Sequence, residues 1–192
     1  GQLDAAVVGV FSDKPDAVAL QRVPAALRWS AAPREFCSRS AYERALGDAI
    51  AATTPDWILC AGYMRILGAD IVQRFAGRMV NIHPSLLPRH KGLHTHQQAI
   101  DAGDAEHGAS VHLVTAELDA GAVIAQSRVP VLAGDDAGQL AERVLAIEHP
   151  LLVASMQLLC SGRLTEQDGK LQLDGHTLFS PLTLDSAGRP VF

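Results

Sequence analysis

The sequence predicts an α/β fold: a mostly parallel sheet with helices on both faces, an antiparallel strand pair and a C-terminal hairpin. Three observations lead there. The apolar runs "AAVVGVF" (5–11), "DWILCAG" (56–62) and "RMVNI" (78–82) lack polar alternation and read as strands buried on both sides. Stretches of helical period stand between them, as crossover connections require. After residue 103 the pattern changes. "ASVHLVTA" (109–116) and "AVIAQSRVPV" (122–131) are separated only by "ELDAG", too short for a crossover helix, so they should pair antiparallel.

The elements follow in order. "AAVVGVF" is closed by the turn-like "SDKPD", with a short helix near 17–22 and a short strand near 27–30. "SAYERALGDAIAAT" (40–53) is an amphipathic helix. Ser40 and Glu43 give it a capping-box pattern, and Tyr42, Leu46, Ala49 and Ile50 an apolar face. "ADIVQRFAG" (69–77) reads as a helix ending at Gly77, and "HTHQQAIDAG" (94–103) as another. A long helix covers 137–162, where Pro150 predicts a kink. "RLTEQDGKLQLDGHTLF" predicts a hairpin turning at Asp168–Gly169. No linker or repeat interrupts the 192 residues, which read as one domain, 1–192.

Composition narrows the function classes. A formal net charge of −5 and the lack of any basic run argue against a nucleic-acid partner. No apolar run approaches the roughly 20 residues of a membrane span. The opening "GQLDAAVVGV" has neither the basic region nor the apolar core of a signal peptide. Cys37, Cys60 and Cys160 are odd in number and widely spaced, which suits neither a disulfide framework nor a zinc site. The chain reads as cytoplasmic, with no membrane partner.

The chemistry concentrates in "VNIHPSLLPRHKGLHTH" (80–96). Asn81 and His83 alternate along an extended segment and so share a face. They sit where a strand ends, the edge at which open parallel sheets bind ligands. "CAGYMRIL" (60–67) ends another strand, and Asp119 of "ELDAG" could bring a carboxylate to the same edge. An amide, an imidazole and a carboxylate without a nearby Ser or Cys nucleophile suit direct attack of a substrate on a carbonyl. His83 would donate to the oxyanion and move protons, Asn81 would add a fixed donor, and Asp119 would favour the cationic imidazole. The same residues also serve as ordinary turn formers. His83, His94, His96, His107 and His112 could alternatively hold a metal, but no His-Glu-x-x-His spacing is present and no metal is predicted.

The stretch "NIHPSLLPRHKGLHTHQQAIDAGDAEHGASVHLVTAELDAGAVI" (81–124) closely resembles the phosphoribosylglycinamide formyltransferase family of folate-dependent enzymes. The resemblance extends back through "FSDKPDA", "SRSAYE" and "DWILCAGYMRIL" and forward through "RVPVLAGD" and "IEHPLL". "HPSLLP" is shared with other formyltransferases, whereas "KGLHTHQQAI" separates this family from relatives acting on methionyl-tRNA and from the deformylases.

The resemblance implies a Rossmann-like formyltransferase fold. It also implies formyl transfer from 10-formyltetrahydrofolate to the amine of glycinamide ribonucleotide, a step of purine biosynthesis. It makes His83 the catalytic acid, Asn81 its partner at the formyl oxygen and Asp119 the residue acting on the histidine. It assigns folate contacts to Arg39, to Met64, Arg65, Ile66 and Leu67, to Asn81, and to Thr115, Ala116, Glu117, Leu118 and Asp119. It places Leu145, Ala146, Ile147 and Glu148 at the nucleotide substrate, with Glu148 on the ribose, and His112 near the site. A formyl hydrolase using water as acceptor, and a folate- or nucleotide-binding protein without catalysis, are the alternatives.

The family pattern opens with an apolar strand and a glycine- and serine-rich loop that cradles the substrate phosphate. Neither is matched here. "GQLDAAVVGV" corresponds to the second strand, so the first strand and the phosphate loop are absent from the sequence read. The missing strand belongs in the middle of the sheet, so the expectation is that the working protein has this segment outside the sequence read. A chain that truly began here should bind nucleotide weakly and be poorly stable.

Overall fold

The computed structural model describes residues 3–167, 169–185 and 189. The predicted alternation is present. β1 (Val10–Ser12) pairs in parallel with β2 (Arg28–Ser30), and α1 (Val18–Gln21) lies between them in sequence. α2 (Arg39–Ala52), β3 (Ile58–Cys60), α3 (Ala69–Arg74) and β4 (Met79–His83) follow. α4 (Thr95–Asp101) leads into β5 (Glu106–Leu113) and β6 (Val123–Pro130). α5 (Ala137–Cys160) precedes the terminal strands β7 (Leu164–Gln167), β8 (Lys170–Leu173), β9 (His176–Thr177) and β10 (Leu182–Thr183).

The central sheet has the order β10-β6-β5-β4-β3. β3–β4 and β6–β10 are parallel, while β4–β5 and β5–β6 are antiparallel, as the short "ELDAG" connection requires. With β1–β2, three of these five pairings are parallel. β7 and β8 form the expected hairpin, with Gln167 opposite Lys170; Asp168 of its turn lies outside the described residues. β10, which returns to the central sheet beside β6, was not anticipated.

Two core regions result. α5 lays Leu140, Val144 and Leu151 against Val111 and Ile124 of the sheet, and all five are essentially fully buried. Tyr42, Leu46 and Ile50 of α2 pack on Ile71, Val72 and Phe75 of the α3 region. α5 is long and apolar enough to cross a membrane by length and composition alone, which the sequence reading had not allowed for. Its face through Leu140, Ile147 and Leu159 is core, and Glu142, Arg143 and Glu148 interrupt the rest. The helix runs through Pro150 without ending.

Three local expectations are corrected. The first is "DWILCAG": only Ile58–Cys60 forms a strand, and it ends the central sheet among the described residues with Leu59 41% exposed instead of lying buried on both sides. α2 starts earlier than predicted, with Ser38 rather than Ser40 as its cap: the Ser38 hydroxyl accepts from the Ala41 N–H. Glu43 is not reaching back to a capping box. It accepts from Arg39 and from the Gly68 N–H at the start of α3, so it ties two helices together. The run "AAVVGVF" is also not a buried strand throughout. Only its end enters β1, and Val7 and Val8 are 60% and 43% exposed. An apolar run is buried on both sides only where neighbours flank it. Among the described residues β1 pairs with β2 and with no strand of the central sheet.

Candidate active site

β4 carries the site because its alternation places Asn81 and His83 on one face. Antiparallel register sets His112 of β5 directly across from Asn81, and Ser110 across from His83. His112 is buried, and its Nδ1 lies 2.9 Å from the Leu113 carbonyl. A carbonyl only accepts, so the proton is on Nδ1 and the Nε2 lone pair is open. That lone pair takes one N–H of the Asn81 amide, 3.1 Å away. Burial lowers the pKa of His112, in keeping with the neutral ring this arrangement needs. One Asn81 N–H is thereby used for orientation and its second remains for a ligand.

Asp119 reaches the same place by an unexpected path. β5 runs antiparallel to β4, so its last residue, Leu113, pairs with Val80 near the start of β4. The connection 114–122 therefore leaves at the far end of β4 and folds back over the face bearing Asn81, His83 and His112, rather than meeting His83 around the sheet edge. Asp119 has a left-handed φ of 47° there, and its carboxylate is 3.6 Å from His83 Nδ1 and 3.7 Å from His112 Nε2. The fold-back depends on Gly121, where a Cβ would lie 1.8 Å from the Leu113 carbonyl oxygen.

The loop after β4 supplies the remaining partners. His83 Nε2 donates to the His90 carbonyl at 3.0 Å, and the Gly92 N–H donates to Asp119 Oδ2 at 2.9 Å. The loop, whose Leu87–Pro88 peptide is cis, is held to the sheet by buried polar groups. Ser110 Oγ donates to the Ser85 carbonyl and accepts from the Leu87 N–H. Gln126 on β6 donates to the Leu87 carbonyl, and Thr95 donates to the Pro84 carbonyl. Sequence reading missed Ser110 and Gln126. Their pairing across two strands appears only once the β4–β5–β6 register is fixed, although two polar residues inside apolar strands were a signal.

The other predicted residues divide. Met64, Arg65 and Ile66 follow β3, whose Cys60 is the register partner of Asn81, and they are exposed with Leu67 half-buried. Arg39 donates to the Ile66 carbonyl and Arg65 to Asp13, which fixes the segment from both sides. Thr115, Ala116, Glu117 and Leu118 lie exposed on the fold-back, where the Thr115 hydroxyl bonds the Glu117 carbonyl. Of the α5 group, Leu145 and Ala146 are exposed and Ile147 is core. Glu148 is half-buried; burial raises its carboxyl pKa while the charge of His83 acts in the opposite sense. His94, in the left-handed region, precedes α4 and is exposed, while His96 contacts buried His107 at 3.2 Å. Among the described residues no group of His, Cys, Asp and Glu is arranged to hold a metal.

Chemically, the face offers an oriented amide donor and an imidazole with a carboxylate beside its Nδ1. The exposed apolar side chains of Met64, Ile66 and Leu118 follow from two neighbouring connections. That set suits acyl transfer between small molecules with charge gathering on a carbonyl oxygen.

The profile of one family, described as formyl transferase, matches residues 1–156. The chain is 45% identical to the phosphoribosylglycinamide formyltransferase of Escherichia coli K12 over 174 residues, covering 90% of this chain and 82% of that protein. The structure of the phosphoribosylglycinamide formyltransferase of Coxiella burnetii superposes with a TM-score of 0.81 at 39% identity, over 94% of this chain and 83% of that one. A formyltetrahydrofolate deformylase from Pseudomonas syringae pv. tomato gives 0.79 at 26% identity, over 89% of this chain and 57% of its own length.

Proposed function

The chain belongs to the formyl transferase family, and from that premise we propose that it moves the formyl group of 10-formyltetrahydrofolate onto the amine of glycinamide ribonucleotide. It is a folate-dependent enzyme of purine biosynthesis in this reading, and its partners are small molecules. We take 1–192 as one catalytic domain working in the cytoplasm.

The observation that carries the reading is the convergence of Asn81, His83 and Asp119 on one face, with both donors held in place. The amine attacks the formyl carbon. Asn81 donates its second N–H to the oxygen as charge gathers there, and the protonated His83 provides the neighbouring donor at Nδ1, its Nε2–H being held by the His90 carbonyl. As the carbon–nitrogen bond to the folate breaks, His83 passes a proton to the departing nitrogen and regains the one shed by the attacking amine as it becomes the amide. Asp119 stabilises the positive charge the ring holds while it carries that proton. Met64, Ile66 and Leu67 line the apolar part of the folate site, with Arg39, Arg65 and residues 115–118 around it. Glu148, whose carboxyl feels the charge of His83, binds the ribose, with Leu145, Ala146 and Ile147 as the helical stretch that presents it.

Water in place of the amine would make the same face a hydrolase. The higher identity and fuller coverage of the transferases favour the amine acceptor. Absorbance of the folate product, followed with and without glycinamide ribonucleotide, tests the choice. Product that depends on the ribonucleotide supports transfer; equal product without it establishes hydrolysis.

A further inference from the structure

The loop that touches both His83 and Asp119 is itself gripped from outside the site. His90, at φ 52°, turns its carbonyl to His83 while its ring Nε2 lies 2.7 Å from Asp104 Oδ2. The other oxygen of Asp104 takes the Arg89 guanidinium. The Asp104 side chain is only 5% exposed and sits in the connection from α4 to β5, away from the reacting face. The Arg89 carbonyl in turn accepts from Ser85 Oγ at 2.8 Å. One carboxylate thus fixes two successive residues of the loop, and the second of them bonds His83.

That bond selects a tautomer. A carbonyl has no proton to give, so Nε2 must be the donor, and the tautomer of a histidine is set by the partner of its other nitrogen. Nδ1 is left facing Asp119 at 3.6 Å, beyond a normal hydrogen bond and with room to exchange partners.

We infer that Asp104 is a positioning residue: by holding Arg89 and His90 it sets the carbonyl that keeps His83 as the Nε2–H form, leaving Nδ1 as the nitrogen that exchanges protons with substrate. The inference rests on the formyl-transfer reading and adds which nitrogen works and what assigns it. His90 acts through its backbone and its ring is a tie, so neither it nor Asp104 need touch substrate. Asp104→Asn removes the charge and one of two good acceptors while nearly conserving volume. The loop carbonyl then wanders relative to Nε2 while both substrate pockets stay intact.

The test joins kinetics to nitrogen-15 NMR of the histidine rings, with the His83 signals assigned by their loss in His83→Ala. In Asp104→Asn, kcat should fall roughly 10- to 100-fold, with KM for both substrates within about 3-fold of wild type. The His83 pattern should move from the Nε2–H tautomer of wild type to a mixture. Should Asp104→Asn not fold, His90→Ala removes one tie, keeps the carbonyl, and should show the same changes at smaller size. A normal kcat, or a lowered kcat with an unchanged His83 pattern, overturns the inference. If wild type forms no product with the ribonucleotide yet the tautomer still shifts in Asp104→Asn, the positioning survives and the assigned reaction fails.

Discussion

Asn81 and His83 were legible because a short strand ending in an amide, an imidazole and two prolines is a poor way merely to turn. Removing either side chain leaves the β4 backbone pairing untouched. Asn81→Ala and His83→Ala should therefore fold normally, with kcat down about 10²–10³-fold, the range for one oxyanion donor. Near-normal turnover in either variant would strip that residue of its role, and circular dichroism would confirm the fold. His112 was legible as a histidine near the site but not as the acceptor that aims Asn81, because its ring orientation depends on a bond to its neighbour's carbonyl. His112→Phe keeps the apolar bulk and removes the lone pair. A roughly 10-fold loss in kcat at little change in KM is the outcome expected, measured by steady-state kinetics.

At the scale of elements, the sequence made the helices and the antiparallel pair readable through period and connection length, but not how far each strand extends. β1 shows why. Its apolar run matches a buried strand, yet partners on both edges are needed to bury it, and partners are a property of the sheet. The fold-back after β5 was likewise invisible, since "ELDAG" signals a turn without saying which face it crosses. Gly121→Ala tests that geometry: a methyl group set against the Leu113 carbonyl forces the strand pair apart. A destabilisation of about 1–3 kcal/mol by urea unfolding is predicted, and none would contradict the fold-back.

The strand start at β5 gives a pH prediction. Burial is the main cause holding His107 down to about 4 from the ordinary 6.5, with His96 and His90 adding to it. The folded state thus stays neutral there while the unfolded chain takes up a proton. Stability is full above pH 6.5 and falls as pH drops from 6.5 toward 4, by roughly 3 kcal/mol over that window. Urea midpoints between pH 7 and 4 should show this slope, and His107→Phe should flatten it. An equal slope in the variant would move the effect to other groups.

For the molecule as a whole, family and fold were readable because the three residues proposed to react, Asn81, His83 and Asp119, lie within one continuous stretch, 81–124. The anchoring of that stretch was not, because Ser110, Gln126 and Asp104 act across strands and loops that only the folded chain brings together.

The central claim is that the Asn81–His83–Asp119 face delivers a formyl group to an amine rather than to water. The most direct measurement is the fate of the label from 10-formyltetrahydrofolate carrying carbon-13 in its formyl group, incubated with this chain and glycinamide ribonucleotide. The account predicts label in the ribonucleotide amide, at a rate abolished by His83→Ala. Label recovered as formate, independent of the ribonucleotide, would contradict it.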